Sequence, residues 1–271
     1  MTVQGARPLP RLVFGGPGAP EQGARLLPEE CAVALSFNGS TQAVMMATPA
    51  DLEDFAYGFA LTEGLARPDE ILEVNVERGT QGIDVQSWLV PEAEARLAAR
   101  RRTMAGPVGC GLCGIDSIRE ALRERAPVSE TGFRITPDEV GAAIAALPAR
   151  QPLHDLTRAA HCAGYWTGGA LLATREDVGR HNALDKLAGH LVRHPHGPGA
   201  VLLTSRVSID MVQKVAAIGA PVLIAVSAPT ADAVALADRL GITLIALARG
   251  ARFELFTHSD RLLAGSVAGA R

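Results

Sequence analysis

Cys110 and Cys113 stand two residues apart in Gly109-Cys110-Gly111-Leu112-Cys113-Gly114, the segment of this chain best suited to reactive chemistry. The nucleophile at sulfur is the thiolate, so a reactive cysteine needs exposure and positive surroundings. Glycines at 109, 111 and 114 leave both sulfurs uncrowded. Arg100-Arg101-Arg102 lies just upstream and would lower a thiol pKa if it folded back. A short helix expected near Asp116 to Arg125 would add the positive end of its dipole. A second thiol at this spacing can attack whatever the first sulfur carries, releasing it and closing a disulfide. Three chemistries fit. One is a thioredoxin-like redox pair, although that motif belongs between a strand and a long helix near the start of a βαβ fold. Another is half of a structural zinc site, with His161 and Cys162 as partners in place of a second close cysteine pair. The third is a sulfur carrier holding a persulfide. Spacing alone leaves all three open.

The remaining composition narrows the setting. Four cysteines in 271 residues do not make a disulfide framework, and Cys31 and Cys162, in apolar runs, read as inert core thiols. A formal net charge of −3 without a lysine- or arginine-rich block excludes a nucleic-acid-binding protein. Met1 to Gly23 is rich in proline and glycine and has neither the apolar stretch of a signal peptide nor that of an anchor. No run approaches the roughly 18 apolar residues of a membrane span, so a cytoplasmic protein is expected, without a membrane partner.

The elements that must position the cysteines follow from periodicity and punctuation. Residues 1–25 read as a flexible tail. Cys31 to Gly39 predicts a strand and its turn, and Ala43 to Ala47 a second strand. Thr48 fits the N-cap of a helix running to Gly64, with Leu52, Phe55, Phe59 and Ala60 as its apolar stripe. Strands over Ile71–Glu77 and Gly82–Val90 and a helix from Pro91 to about Arg102 lead into the cysteine loop. Pro127 to Pro137 is the best boundary, and a helix follows from Pro137 to Leu147. Beyond it, expected strands at Ala159–Thr167, Ala170–Arg175, Ala200–Thr204, Pro221–Val226, Ile242–Ala248 and Arg252–Thr257 alternate with helices near Arg180–Val192, Ile209–Ile218 and Ala231–Leu240. That alternation implies βαβ units and a largely parallel sheet covered on both faces.

Several stretches together resemble the FdhD family, the sulfur carriers required for formate dehydrogenase activity. They are Met45-Met-Ala-Thr-Pro-Ala-Asp-Leu-Glu-Asp-Phe-Ala-Tyr-Gly-Phe59, Cys110-Gly-Leu-Cys-Gly114, Arg175-Glu-Asp-Val-Gly-Arg-His-Asn-Ala-Leu-Asp-Lys186, Ser205-Arg-Val-Ser208, Met211-Val-Gln-Lys214 and Val226-Ser-Ala-Pro-Thr230. The resemblance implies a protein that takes persulfide sulfur from a cysteine desulfurase and passes it to the molybdenum cofactor, in its bis(molybdopterin guanine dinucleotide) form, before insertion into formate dehydrogenase. It further implies Cys110 as the carrier, Cys113 as its helper, a homodimer, and a cofactor-binding stretch at Leu247, Ala248, Arg249, Gly250, Ala251 and Arg252. Two guanidinium groups suit the pyrophosphates of a dinucleotide. Leu247, where relatives are often aromatic, offers no ring for a base to stack on.

The expected fold is α+β, or α/β, in two domains: a small N-terminal α/β domain over 26–130, with a mobile cysteine loop near 106–115, and a domain over 131–271 that the resemblance implies to be a cytidine-deaminase-like α/β/α domain. Deaminases hold zinc through His-x-Glu at one helix start and Cys-x-x-Cys at the next. Here those starts read His181-Asn182-Ala183 and Ser205-Arg206-Val207-Ser208. Alanine replaces the glutamate and serines replace the thiolates, so neither deaminase activity nor a catalytic zinc is expected. Arg180, His181, Asp185 and Lys186 gather at one helix start, as a polar cofactor lining or as capping and a surface ion pair. His190, His194 and His196 flank a solvated loop, Met45-Met46 reads as core strand, and Gly15-Gly-Pro-Gly is not a phosphate loop.

Overall fold

The computed structural model describes residues 4–16, 20–104 and 125–263, with side chains omitted for 100–104. Cys110, Cys113 and the helix expected near Asp116 lie outside the described residues.

Two sheets organise the chain. The smaller has strand order β4-β3-β6-β5, built from β3 (Cys31–Phe37), β4 (Ser40–Ala47), β5 (Ile71–Arg78) and β6 (Ile83–Leu89). Asn38 and Gly39 both take positive φ, the Asn-Gly hairpin turn that joins β3 to β4. Helix α1 (Leu52–Thr62) lays Leu52, Phe55, Phe59 and Ala60, the expected stripe, against Val33, Leu35, Phe37 and Val85 of the sheet. Burying each large side chain there contributes about 1.5–3 kcal/mol. Helix α2 (Pro91–Met104) adds Ala93 and Leu97 to the same core.

The larger sheet has order β12-β11-β10-β9-β7-β8. Its strands are β7 (His161–Thr167), β8 (Ala170–Asp177), β9 (Ala200–Leu203), β10 (Val222–Ala225), β11 (Thr243–Arg249) and β12 (Arg252–Leu255). Helices α5 (Arg180–Arg193), α6 (Ile209–Ile218) and α7 (Ala231–Arg239) cover one face, where Leu184, Leu187, Met211 and Val215 meet Val201, Leu203 and Leu223. Helix α3 (Pro137–Ala146) covers the other with Val140 and Ala143, and the short α4 (Pro152–Thr157) follows it. Thr136 and Glu139 close a reciprocal capping box at the start of α3. Only β9, β10 and β11 run parallel to one another; β7, β8 and β12 pair antiparallel, so the sheet is mixed where the helix–strand alternation predicted a largely parallel one. Short hairpin turns at Gly168-Gly169 and at residues 250–251 force the antiparallel edges, because a parallel neighbour needs a longer crossover.

Two further expectations change. Residues read as a flexible tail form an antiparallel hairpin, β1 (Ala6–Val13) with β2 (Glu21–Pro28). Pro8 and Pro10 fall within β1, and an isolated two-stranded ribbon has free edges on which a missing N–H costs nothing. Thr48 is not the N-cap of α1. The helix starts at Leu52, behind Asp51 at a positive φ, and Thr48 instead bonds the end of β8: its N–H donates to Asp177 at 3.0 Å, and its hydroxyl accepts from Val178 N–H at 3.2 Å.

Candidate functional site

The carboxyl ends of β9, β10 and β11 face one edge of the larger sheet, the place where open α/β sheets bind ligands. Backbone bonds knit the three exit loops together. Val207 N–H donates to Ala228 O at 3.2 Å, Thr230 N–H to Val207 O at 2.9 Å, and Leu247 N–H to Ser227 O at 3.3 Å. Leu247 holds a φ of 53°, a conformation that costs a non-glycine residue about 1–2 kcal/mol, at the irregularity in β11–β12 pairing between Ala246 and Arg249. That strain bulges the strand and throws the hairpin turn outward. Of the six residues expected to hold a cofactor, Arg249, Gly250, Ala251 and Arg252 lie exposed on this turn, Leu247 is half-buried and Ala248 is a core residue. Arg249 and Arg252 face each other across the turn.

Helices α5 and α6 begin on the same edge. His181 Nε2 bonds Asp210, which is held below the usual carboxylate range by its own N–H and by His181 despite part burial. Burial first, then the Arg180 and His154 charges, push His161 below the ordinary histidine pKa. Ser205 turns its hydroxyl to Arg206 O at 3.1 Å. Beside this edge, residues from the end of α3 through α4 enclose a cleft of about 400 Å³ with Thr204 and Val226; its polar side chains include Gln151, His154, Asp155 and Arg158.

Asp185 and Lys186 do not join this edge, and they form no surface ion pair. They are 1% and 0% exposed and face α1. Lys186 Nζ donates to Asp177 at 2.6 Å and to Thr48 O at 2.8 Å, while Asn182 reaches Met46 O at 2.9 Å. Asp185 accepts from Lys214 at 2.9 Å and from the Thr62 hydroxyl at 2.7 Å. Desolvation raises the Asp185 pKa, with Lys214 and Thr62 acting against it, and Lys214, with Asp185 and Glu63 beside it, is held above its own ordinary value despite burial. Asp54 completes the row between Arg175, at 2.6 Å, and Arg193, at 2.6 Å. The segments Met45–Phe59 and Arg175–Lys186 thus meet as the buried joint between the two sheets. Sequence reasoning missed Asp54, Arg175 and Arg193 as partners, since acids in a first turn already satisfy a helix dipole. The cleft residues Gln151, Asp155 and Arg158 carried no motif.

Among the thiols described, neither suits sulfur chemistry. Cys162 is 2% exposed, and desolvation pushes its pKa far up. Burial also raises the pKa of Cys31, whose sulfur lies 3.7 Å from Ala47 O.

The profile of the FdhD/NarQ family matches residues 28–263. The chain belongs to that family. Relatives named Sulfur carrier protein FdhD include one from Agrobacterium fabrum, 53% identical over 91% of this chain and 92% of its own length. Another, from Brucella abortus, is 51% identical over 90% of this chain and 92% of its own. A crystal structure from Desulfotalea psychrophila, assigned as a formate dehydrogenase accessory protein, superposes with a TM-score of 0.73 at 27% identity, over 95% of this chain and 99% of that one. The mixed α/β architecture is therefore similar to that of a formate dehydrogenase accessory protein.

Proposed function

We propose that this protein is a sulfur carrier for the maturation of a formate dehydrogenase. One observation carries the reading: nearly the whole chain is similar to proteins named Sulfur carrier protein FdhD. The chain's own chemistry supports it. Of its four cysteines, two lie in strands where burial raises their pKa, which leaves Cys110 and Cys113 to carry sulfur.

Cys110 thiolate attacks the outer sulfur of a cysteine desulfurase persulfide. A new S–S bond forms on Cys110 as the old one breaks, the desulfurase leaves as its thiolate, and no net oxidation occurs. The cargo is the molybdenum cofactor with its guanine dinucleotide arms. It docks at the carboxyl edge, where Arg249 and Arg252 pair with pyrophosphate oxygens. Sulfur leaves Cys110 when the Cys113 thiolate attacks the inner sulfur: the persulfide S–S bond breaks, a Cys110–Cys113 disulfide closes, and the two thiols supply the two electrons that free hydrosulfide for the metal centre. On the deaminase-like reading the scaffold contributes position only: His181 lies in the first turn of α5, Ser208 precedes α6, Ser205 lies in the loop before it, and none of them replaces a thiolate ligand.

Cys110→Ser separates this reading from a chaperone that merely clamps the cofactor through its cysteines. The variant should bind the cofactor as the parent does and fail to restore formate dehydrogenase activity in cells lacking the carrier. Loss of cofactor affinity in step with activity would favour the chaperone.

A further inference from the structure

Leu9, Leu12, Val13 and Phe14 are large apolar side chains left in solvent within a short run at the end of β1. The pairing register sorts the ribbon's side chains onto two faces. Pro8 lies opposite Leu26, Pro10 opposite Ala24 and Leu12 opposite Gln22, so these share one face, with Phe14 next in the alternation. Arg7, Leu9, Arg11 and Arg25 point the other way. Arg25 ties that second face to α4, donating to Thr157 O at 3.3 Å. The first face carries no charge and is open: Pro8, Pro10 and Ala24 are exposed, Leu12 is 55% exposed and Phe14 73%. A lone two-stranded ribbon is marginally stable in water, and an exposed apolar face marks an interaction surface.

The occupant of that face is not another strand along β1. Ala6 to Val13 are all paired with β2, so the ring nitrogens of Pro8 and Pro10 lie on the free edge and offer it no donor. Eight residues at about 3.3 Å each span about 26 Å, and two strands present a strip roughly 10 Å wide. A helix of about 18 residues has that length and that width. A hollow of about 550 Å³, lined by Pro10, Leu12, Gln22, Gly23 and Arg11, has room for a large side chain from it. Charge sets the border of the contact. Arg7 and Arg11 are exposed on the edge strand, and Glu21 is the one acid of the two strands, so acidic residues flank the apolar stripe of the matching helix.

A second copy of the chain fits this face less well. Two ribbons laid face to face would bury roughly 260 Å² each, where a stable interface takes about 800 Å² per partner, and would bring like charges together. The position of the ribbon selects among other partners. The family profile starts at residue 28, so β1 and all of β2 except Pro28 precede it. On the proposed function, sulfur uptake is the step common to the family, and its docking surface belongs within the matched residues. The ribbon then serves the partner that changes from one member to the next, the enzyme being matured.

We propose that the apolar face of the β1–β2 ribbon docks an amphipathic, acid-bordered helix of the cofactor-free formate dehydrogenase. The docking face rests on the maturation role proposed above and adds to it the surface that selects the client.

Equilibrium binding of the full chain to its purified, cofactor-free formate dehydrogenase tests this, beside persulfide loading of Cys110 by a cysteine desulfurase and sedimentation of the chain alone. Leu12→Asp and Phe14→Asp each place a charge on an exposed side chain, and Phe14 lies outside β1, so its variant stays informative if the first disturbs the ribbon. Each should weaken binding at least about tenfold, roughly the worth of one anchor residue, and leave persulfide loading unchanged. Arg11→Glu should weaken it as well and reduce the salt dependence of the affinity. Unchanged affinity in both aspartate variants overturns the docking face. A parent protein that fails to bind the enzyme also overturns it, while sulfur on Cys110 would leave the carrier reading standing. Lost loading in Phe14→Asp would assign the face to the desulfurase, and a change in oligomeric state would assign it to a second copy; either result overturns the proposal.

Discussion

Asp54 is 4% exposed, and two guanidinium groups compensate its charge, so its partners suffer most when it is removed. Asp54→Ala should destabilise the protein by about 2–3 kcal/mol in urea unfolding. That is less than the roughly 3–5 kcal/mol for breaking a fully buried pair, because Arg175 and Arg193 keep 18% and 28% exposure. His190 belongs to the same cluster: Arg175 donates to its Nδ1 at 2.7 Å, which requires the neutral ring. Burial and then Arg175 lower its pKa from 6.5, with His194 and Arg193 acting in the same direction and Asp54 against them. The unfolded chain therefore takes up the proton first as pH falls. This contribution is fully present above 6.5 and is lost as pH falls toward the lower folded value. His190→Gln should reduce the loss of stability between neutral pH and mild acid, read from urea midpoints at each pH. At this scale the sequence was legible by type and not by partner. It placed Cys31 and Cys162 among core thiols, and nothing in the run around Asp185-Lys186 separated a buried joint from a binding surface. Partner identity needs the fold, since Thr62 and Lys214 lie 152 residues apart and meet at 3.0 Å.

Helices α1 and α5 touch backbone to backbone at two glycines. A Cβ on Gly58 would lie 1.6 Å from Asp185 O, and one on Gly189 would lie 1.7 Å from Asp54 O. Alanine is ordinarily the better helix former by about 1 kcal/mol, but here it must push the helices apart and stretch every polar bond across the joint. Gly58→Ala should therefore lower stability by about 3 kcal/mol. Gly141→Ala on α3 meets only ordinary contact and should be neutral or slightly stabilising. The pair of denaturant midpoints distinguishes packing from propensity. Periodicity made the stripe of α1 and the boundaries of α5 to α7 legible to within a residue or two. It failed where local chemistry has two solutions. Thr48 is a good cap that the fold uses as a strand-end clasp, and Pro8 and Pro10 sit on a ribbon whose edges tolerate them. Arg7 to Val13 and Glu21 to Pro28, on either side of a glycine-rich stretch of sequence, were the signal available for that hairpin.

On the scale of the whole molecule, the joint fixes the smaller sheet against the larger one through α1 and α5. Buried ion pairs are a costly way to glue two layers, but each charge here has a defined partner, and that pattern sets one register between α1 and α5. The strand–helix alternation made the helices over one face of the larger sheet legible, and the family resemblance singled out the stretch from Leu247 to Arg252. The cleft was not legible, because its residues come from α3, α4 and two loops far apart in the chain. The central claim concerns the cysteines, and mass spectrometry after incubation with a cysteine desulfurase and cysteine tests it most directly. One added sulfur on the peptide containing Cys110, absent from Cys110→Ala and retained in Cys31→Ser, is the predicted result. No added sulfur on that peptide, or loading that persists elsewhere in Cys110→Ala, would contradict it.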